Sequence, residues 1–539
     1  MKRIFVICLL LSCFASVAQE DAWVYFTNKP NVASYLSDPL SMLTQRAIDR
    51  RNAQNIALDN KDVPIHQPYI DQVEAANGIT VYAKSKWFNN VHVRGTYEAI
   101  QALTALSFVD HVDFANRNLN TGNRKVSQKR TKKFNKTMET ETIFNYGSSL
   151  NQIQMLNGVT LHEQNYTGAG KVIAVMDGGF PEVNTASTFS RLRDNNQILG
   201  GYDFVNRSED FYSGISHGTM VLSTMGGYKN NQLVGTAPDA SYYLFITEDG
   251  DNEGPLELSL WVEAAEEADR LGVDVINTSL GYTQFDNPDY DFMYSDMDGQ
   301  TAFISKGVDV AYSRGMICVV SAGNEGLSDW HYISAPADAT HALSIGAVNP
   351  SEIPAGFSSY GPAADGRIKP DVAAQGQQAV ISGTTGNVTT GNGTSFSGPI
   401  MAGMVASLWQ ALPGKTNEQI MQYIKESGSI YNNPDDRIGY GIPNFGLALA
   451  TALGTASFSQ DNTKFVFYPN PTQNRLNVAF PSGFAEANVS LFNAMGQKVM
   501  EQAVNSSKPV ISMDKLQSGI YLYNLQTGTY SQSGKLVKE

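Results

Sequence analysis

Three short stretches of this 539-residue chain carry side chains suited to turning a hydroxyl into a nucleophile. Asp177 closes the apolar run Val172-Ile173-Ala174-Val175-Met176 and is followed by Gly178 and Gly179. His217 opens the helix-like stretch His217-Gly218-Thr219-Met220-Val221, with a glycine beside it that permits close approach. Ser395 lies in Gly393-Thr394-Ser395-Phe396-Ser397-Gly398-Pro399, ahead of an apolar segment that runs to Leu412. Each has a commoner structural explanation when taken alone: a turn carboxylate, a structural imidazole, a helix N-cap. Together they supply what acyl transfer needs. A neutral hydroxyl is a weak nucleophile. An imidazole can take its proton and return it to the leaving amine, and a carboxylate can hold the imidazole in one tautomer and stabilise its charged form. A serine at a helix start also lies beside backbone N–H groups without helix partners, which favours negative charge developing there.

The order is Asp–His–Ser, and His217 and Ser395 are separated by most of a domain, so only the fold can bring them together. Apolar runs of strand length occur at residues 171–176, 242–246, 273–278, 316–321 and 342–348. Runs without polar alternation predict a parallel sheet covered on both faces. Pro255 at a helix start, with Leu256, Leu260, Trp261, Ala264, Ala268 and Leu271 on one stripe, predicts a covering helix. This is an α/β fold, and Asp177 falls at the carboxyl end of a strand, where such sheets place their sites. Before it, residues 19–116 read as a small α+β unit, with strands at 23–26, 87–93 and 108–114 and helices at 43–48, 69–76 and 97–106. Residues 117–142 read as an exposed basic linker and processing region, holding Arg124, Lys125, Lys129, Arg130, Lys132, Lys133 and Lys136. The α/β region is read as 143–456. Residues 457–539 read as a small β-sandwich of short strands punctuated by Pro469, Pro471, Gly483, Gly496 and Gly519.

On these motifs the central region resembles the subtilisin-like serine peptidases, the subtilases, over roughly residues 143–453. Subtilisin shows the same Asp, His, Ser order. Further blocks follow in the family's sequence: Gly235-Thr236-Ala237-Pro238, Asn277-Thr278-Ser279-Leu280-Gly281, Ser321-Ala322-Gly323-Asn324, Phe357-Ser358-Ser359-Tyr360-Gly361, Lys369-Pro370-Asp371-Val372 and Gly439-Tyr440-Gly441. The resemblance implies a subtilisin-like parallel sheet with helices on both faces and a secreted serine endopeptidase working through an acyl-enzyme. It assigns Asp177, His217 and Ser395 as the triad. It gives the Asn324 amide and the Ser395 N–H to the oxyanion, and the Ser279-Leu280-Gly281 backbone to an extended substrate. It implies no cofactor for the chemistry. Structural calcium is frequent in the family, but the sequence assigns no metal ligands. The chain departs from the family at Gly178, Phe396, Ser397 and Gln375, none of which removes a chemical group from the triad.

The flanks resemble family accessories. The N-terminal unit is similar to the ferredoxin-like inhibitory propeptide, which implies that it occupies the cleft before maturation. The C-terminal unit, with Tyr468-Pro469-Asn470-Pro471-Thr472, Leu491-Phe492-Asn493-Ala494-Met495-Gly496-Gln497 and Ser518-Gly519-Ile520-Tyr521, is similar to the sorting domain of type IX secretion substrates. That implies export through the periplasm and outer membrane, with the secretion machinery as a partner. The expected product is a monomer that is released or attached to the cell surface and acts on proteins or peptides.

Composition narrows the alternatives. Net charge is −14, from 38 Lys+Arg against 52 Asp+Glu, so a basic face for nucleic acid is not expected. Lys2 and Arg3, the apolar residues 4–11 and the small residues Ser16 and Ala18 read as a secretory signal over residues 1–18. Cys8 and Cys13 leave with it, so Cys318 remains alone, in an apolar strand where it reads as packing. A catalytically dead subtilase serving as an adhesin is the rival reading. The lipase order Ser–Asp–His does not fit.

Overall fold

The structure, a computed structural model, describes residues 19–120, 144–454 and 465–538, apart from residues 469, 471, 482, 483, 494, 495, 507 and 529. The signal segment and most of the basic linker lie outside the described residues.

In the N-terminal unit the strand segments 20–26 and 90–95 are almost wholly buried, on both faces, whereas 79–85 alternates between buried and exposed. Strands β1 (Glu20–Phe26), β2 (Ile79–Ser85), β3 (Asn90–Gly95) and β4 (Val109–Phe114) form an antiparallel sheet in the order β2-β3-β1-β4. Helices α1 (Gln45–Ala53), α2 (Gln67–Glu74) and α3 (Tyr97–Ala102) join them. Ala22, Val24, Val91, Val93 and Ile100 are fully buried in its core. The strand expected at 87–93 begins instead at Asn90, because residues 86–89 form the turn that follows β2. Strand β2, not anticipated from sequence, keeps Ile79, Ala83 and Ser85 buried and Thr80, Tyr82 and Lys84 exposed. The ordered unit runs past residue 116, through the helical turn Arg117–Leu119 to Asn120, whose side chain binds both the N–H and the carbonyl of Phe114.

Seven segments form the central sheet, all of them largely buried except the edge strand 198–203. They are β5 (Val172–Asp177), β6 (Ile198–Asp203), β7 (Ser241–Ile246), β8 (Val275–Thr278), β9 (Ile317–Ser321), β10 (Leu343–Val348) and β11 (Val372–Gln375). Their order is β11-β10-β9-β8-β5-β7-β6, and every neighbouring pair is parallel. Strand period sends Ile173 and Val175 to one face and Val172, Ala174 and Met176 to the other, so both faces are apolar and the sequence shows no alternation. The first face packs on α4 (His217–Gly226), through Val221, Leu222 and Met225. The other carries α5 (Pro255–Leu271) and α6 (Phe303–Ser313), through Trp261, Val262, Ile304 and Val308. Helix α7 (Thr394–Ala411) lies with α4 on the first face, and all but Gln410 of its residues are buried. Cys318 is fully buried on the α5 side, where burial pushes its thiol well up, so it is inert packing.

The C-terminal unit is a sandwich of two antiparallel sheets around Leu476, Val489, Leu491, Ile511, Leu525 and Leu536. It touches the central unit where Asn444 donates to the Tyr468 hydroxyl (2.8 Å) and Arg475 pairs with Glu163 (2.9 Å).

The N-terminal unit sits on α5 and α6. Trp23 stacks on Phe303 with ring centroids 4.8 Å apart. The Trp23 indole N–H donates to Ser259 Oγ at 2.8 Å, and Ser259 Oγ is 2.8 Å from His92 Nδ1. His92 Nε2 lies 2.8 Å from Asp21 Oδ1. One assignment satisfies every atom: Ser259 accepts from the indole and donates to Nδ1, while Nε2–H donates to Asp21. Asp269 of α5 takes both Arg50 and Arg51 of α1, fully buried.

Glu266 of α5 accepts from Ser85 Oγ (2.6 Å), Lys86 N–H (3.0 Å) and Trp87 N–H (2.9 Å). Burial pushes its carboxyl up to about 7 against these donors, which pull it down. Separation of the two units exposes Glu266 and returns it toward 4.5, so docking takes up a proton. The associated stabilisation is complete below about pH 4.5 and is lost as pH rises through about 7. In protein nicked between residues 120 and 144, retention of the N-terminal unit on a sizing column is expected to weaken from pH 5 to pH 8. The change should be on the order of 10²-fold and should shrink in Glu266→Ala. Equal retention at both pH values would refute this.

Candidate active site

The strand order reverses beside β5: β7 and β6 lie to one side, β8 to β11 to the other. Open α/β sheets hold their ligands at the carboxyl ends of strands around such a switch point. Asp177 is the last residue of β5 and is fully buried. His217, the first residue of α4, brings its Nδ1 to 2.9 and 3.0 Å from Asp177 Oδ1 and Oδ2. The carboxylate holds the proton on Nδ1, which leaves Nε2 as the acceptor facing outward. The Asp177 charge beside it raises the imidazole above its ordinary value; burial works the other way.

Glycines permit this approach. A Cβ at Gly218 would stand 2.4 Å from the Gly179 carbonyl, and one at Gly178 would stand 2.7 Å from Ile215. The departure at Gly178 thus makes room for Ile215, and its backbone N–H donates to Asp177 Oδ1 at 2.8 Å.

Ser395 is the second residue of α7, after Gly393 at φ +153°, a region that L side chains avoid. Pro399 lies within the helix and has no N–H to give the Ser395 carbonyl four residues back. Ser279 Oγ donates to that carbonyl at 3.1 Å, and Ser395 Oγ donates to the Ser279 carbonyl at 3.4 Å. The nucleophile candidate is therefore tied to the segment after β8. Its neighbour Phe396 carries a ring 6.2 Å from the His217 ring. Asp177 and His217 are in direct contact, whereas the Ser395 hydroxyl bonds to the Ser279 carbonyl; hydrogen bonds to the nucleophile commonly tighten only once substrate is bound.

Asn324 follows β9 and is exposed. Its Oδ1 accepts from Thr394 N–H at 2.9 Å, which fixes the amide so that its NH₂ faces away from that contact. The Ser395 N–H, among the first amides of α7, has no intrahelical acceptor. Residues 279–281 leave the sheet after Thr278 and pair again only at Tyr282, whose N–H donates to the Ala335 carbonyl at 2.8 Å. Leu280 is half-buried and Gly281 exposed, which leaves backbone for an extended ligand. The other departures are structural. Phe396 and Ser397 are buried, and Gln375 accepts from Asn151 Nδ2 at 2.9 Å.

Glu248, Glu253 and Glu257 bring carboxylate oxygens within 4.8 Å of one another beside this region, a cluster that sequence reasoning did not find. Oxygen is what calcium takes. Here Glu257 accepts from the N–H groups of Asp249 and Gly254, and Glu248 from the Tyr282 hydroxyl. Burial and mutual repulsion push Glu257 up to about 8 and Glu248 well above its ordinary range. Both Glu257 oxygens and one Glu248 oxygen thus take internal donors, and no calcium is assigned to the cluster.

Three sequence families match the chain. They are described as the peptidase S8 propeptide domain of Bacteroidota over residues 21–134, the subtilase family over 168–441, and a secretion system C-terminal sorting domain over 466–539. Subtilisin NAT of Bacillus subtilis subsp. natto is 31% identical over 288 residues, which cover 52% of this chain and 66% of that one. A subtilisin of Bacillus pumilus is 30% identical over 299 residues, covering 54% of this chain and 95% of its own. The solved structure of MycP1 from Mycobacterium smegmatis aligns at 21% identity with a TM-score of 0.42, over 59% of this chain and 89% of that one.

Proposed function

The chain belongs to the subtilase family, and on that premise we propose that it is a secreted serine endopeptidase with Asp177, His217 and Ser395 as its triad. The observation that carries this reading is the buried Asp177 carboxylate bound to His217 Nδ1 at the switch point, at the same end of the sheet as Ser395 and the oriented Asn324 amide. Nε2 of His217 takes the Ser395 proton as Oγ attacks the peptide carbonyl. The oxyanion receives hydrogen bonds from Asn324 Nδ2 and the Ser395 N–H. His217 then protonates the leaving amine, and water repeats the sequence to release the acyl group. These steps need no group beyond the side chains, one backbone amide and water. The 279–281 backbone holds the substrate as an added strand.

The N-terminal unit is a propeptide, and the C-terminal unit directs export through the outer membrane. We assign residues 1–18 to a signal segment, 117–142 to processing and 143–456 to the peptidase. Before processing, the N-terminal unit would occupy the cleft as well as the α5–α6 face. The test is fluorophosphonate labelling of processed protein beside Ser395→Ala; a wild-type protein that takes no serine-dependent label is not this enzyme. Loss of the oxyanion donor should be severe too. Asn324→Leu is expected to lower kcat by about 10²–10³, the range measured for such an amide in subtilisin, with little change in KM. A loss confined to KM would remove Asn324 from the oxyanion role.

A further inference from the structure

The Ser395 N–H is half of a rigid peptide unit whose other half is the Thr394 carbonyl, so whatever holds that carbonyl also aims the N–H. Two hydroxyls hold it. Thr394 O accepts from Ser321 Oγ at 2.8 Å and from Ser397 Oγ at 3.1 Å. Ser321 is the last residue of β9, where strand period places it with Ile317 and Val319 on the face that packs α7. Ser397 lies in the first turn of α7. Ser321 is 3% exposed, and Thr394 and Ser397 are fully buried. Away from water, a hydrogen bond at one end of a peptide unit is felt strongly at the other.

A glycine makes the first of these bonds possible. A Cβ on Gly398 would stand 2.7 Å from Ser321 Oγ, and the hydroxyl is the atom that would have to yield. Ser321 and Gly398 are thus a matched pair across the contact between β9 and α7. We infer that Ser321, together with Ser397, is a positioning residue for the oxyanion hole, acting through the 394–395 peptide. A donor on the carbonyl fixes the plane of the unit, which aims the Ser395 N–H. It also draws electron density toward the carbonyl, which makes that N–H the stronger donor. The gain is greatest when negative charge develops on the substrate oxygen, so it favours the transition state over the bound substrate.

The inference rests on the endopeptidase reading, and active-site titration separates the two. Fluorophosphonate label counts the competent serines in processed wild type and variants, and kcat is taken per labelled site. One hydrogen bond strengthens the next by about 10–30%, and an oxyanion donor is worth about 10²–10³ in kcat. Ser321→Ala is therefore expected to lower kcat about twofold to eightfold with KM unchanged, and Ser321→Ala with Ser397→Ala to lower it further. A peptide aldehyde adds the Ser395 hydroxyl across its carbonyl and so places an oxygen between the oxyanion donors. It should lose affinity by the same factor as kcat. The matching peptide alcohol forms no adduct and should lose none. Gly398→Ala should reproduce the loss by displacing the Ser321 hydroxyl, and should add nothing in Ser321→Ala, where that hydroxyl is gone. Three results overturn the positioning role and leave the triad standing: an unchanged kcat in the double serine variant, a loss of affinity shared by aldehyde and alcohol, or a full Gly398→Ala loss in the Ser321→Ala background. Wild-type protein that takes no label overturns both readings.

Discussion

Ser395→Ala is expected to reduce peptide hydrolysis by about 10⁶-fold while leaving the fold intact, the scale on which removal of the nucleophile acts in subtilisin. The site explains why the damage should be chemical rather than structural. Ser395 Oγ makes one long hydrogen bond, to the Ser279 carbonyl, while the contact that secures the helix start runs the other way, from Ser279 Oγ to the Ser395 carbonyl. Alanine keeps that second bond. The thermal midpoint should therefore move little. His217→Ala should cost about as much in rate, and the double variant no more than either alone, because the two groups act as a unit. A Ser395→Ala protein that retains even a hundredth of wild-type turnover would place the nucleophile elsewhere.

Asp177→Asn should cost about 10⁴-fold, because the amide can present an N–H to His217 Nδ1 and so favour the wrong tautomer. The pH profile supplies a signature that mere structural damage would lack. The general base works only when neutral, so activity climbs as pH rises through the imidazole's value. The Asp177 charge raises that value. Its removal should shift the rising limb of kcat/KM toward lower pH while the plateau collapses. A variant with the reduced plateau and an unmoved limb would mean that the carboxylate does not bear on the imidazole.

The chemistry was legible in sequence because its residues occupy local settings with strong signatures. An Asp ends an apolar strand, a His starts a helix beside glycine, and a Ser precedes a buried helix. The sheet was legible for a related reason: two-sided burial erases polar alternation in β5 and β9. What escaped notice depends on contacts between distant segments. Strand β2 has clean alternation, but Thr80, Tyr82 and Lys84 dilute its apolar content. His92 carries no local motif, and its role exists only once Ser259 of α5 and Asp21 of β1 converge on it. Gly178 shows the same dependence: its missing side chain admits Ile215, a residue 37 positions away in the chain, while its N–H donates to Asp177 Oδ1. The Ser279–Ser395 exchange follows from Pro399, whose consequence for a carbonyl four residues back is readable only when a donor on another strand is seen to replace the missing amide.

Helix α5 answers to two successive environments. Trp261 and Val262 turn inward to the sheet, whereas Ser259, Glu266 and Asp269 are matched to the propeptide unit. Manufacture and performance are thus written on opposite sides of one cylinder. Changes on the outer side would lower the amount of protein that a cell delivers without altering what each delivered molecule can do, so yield and specific activity form separate axes for anyone engineering this chain.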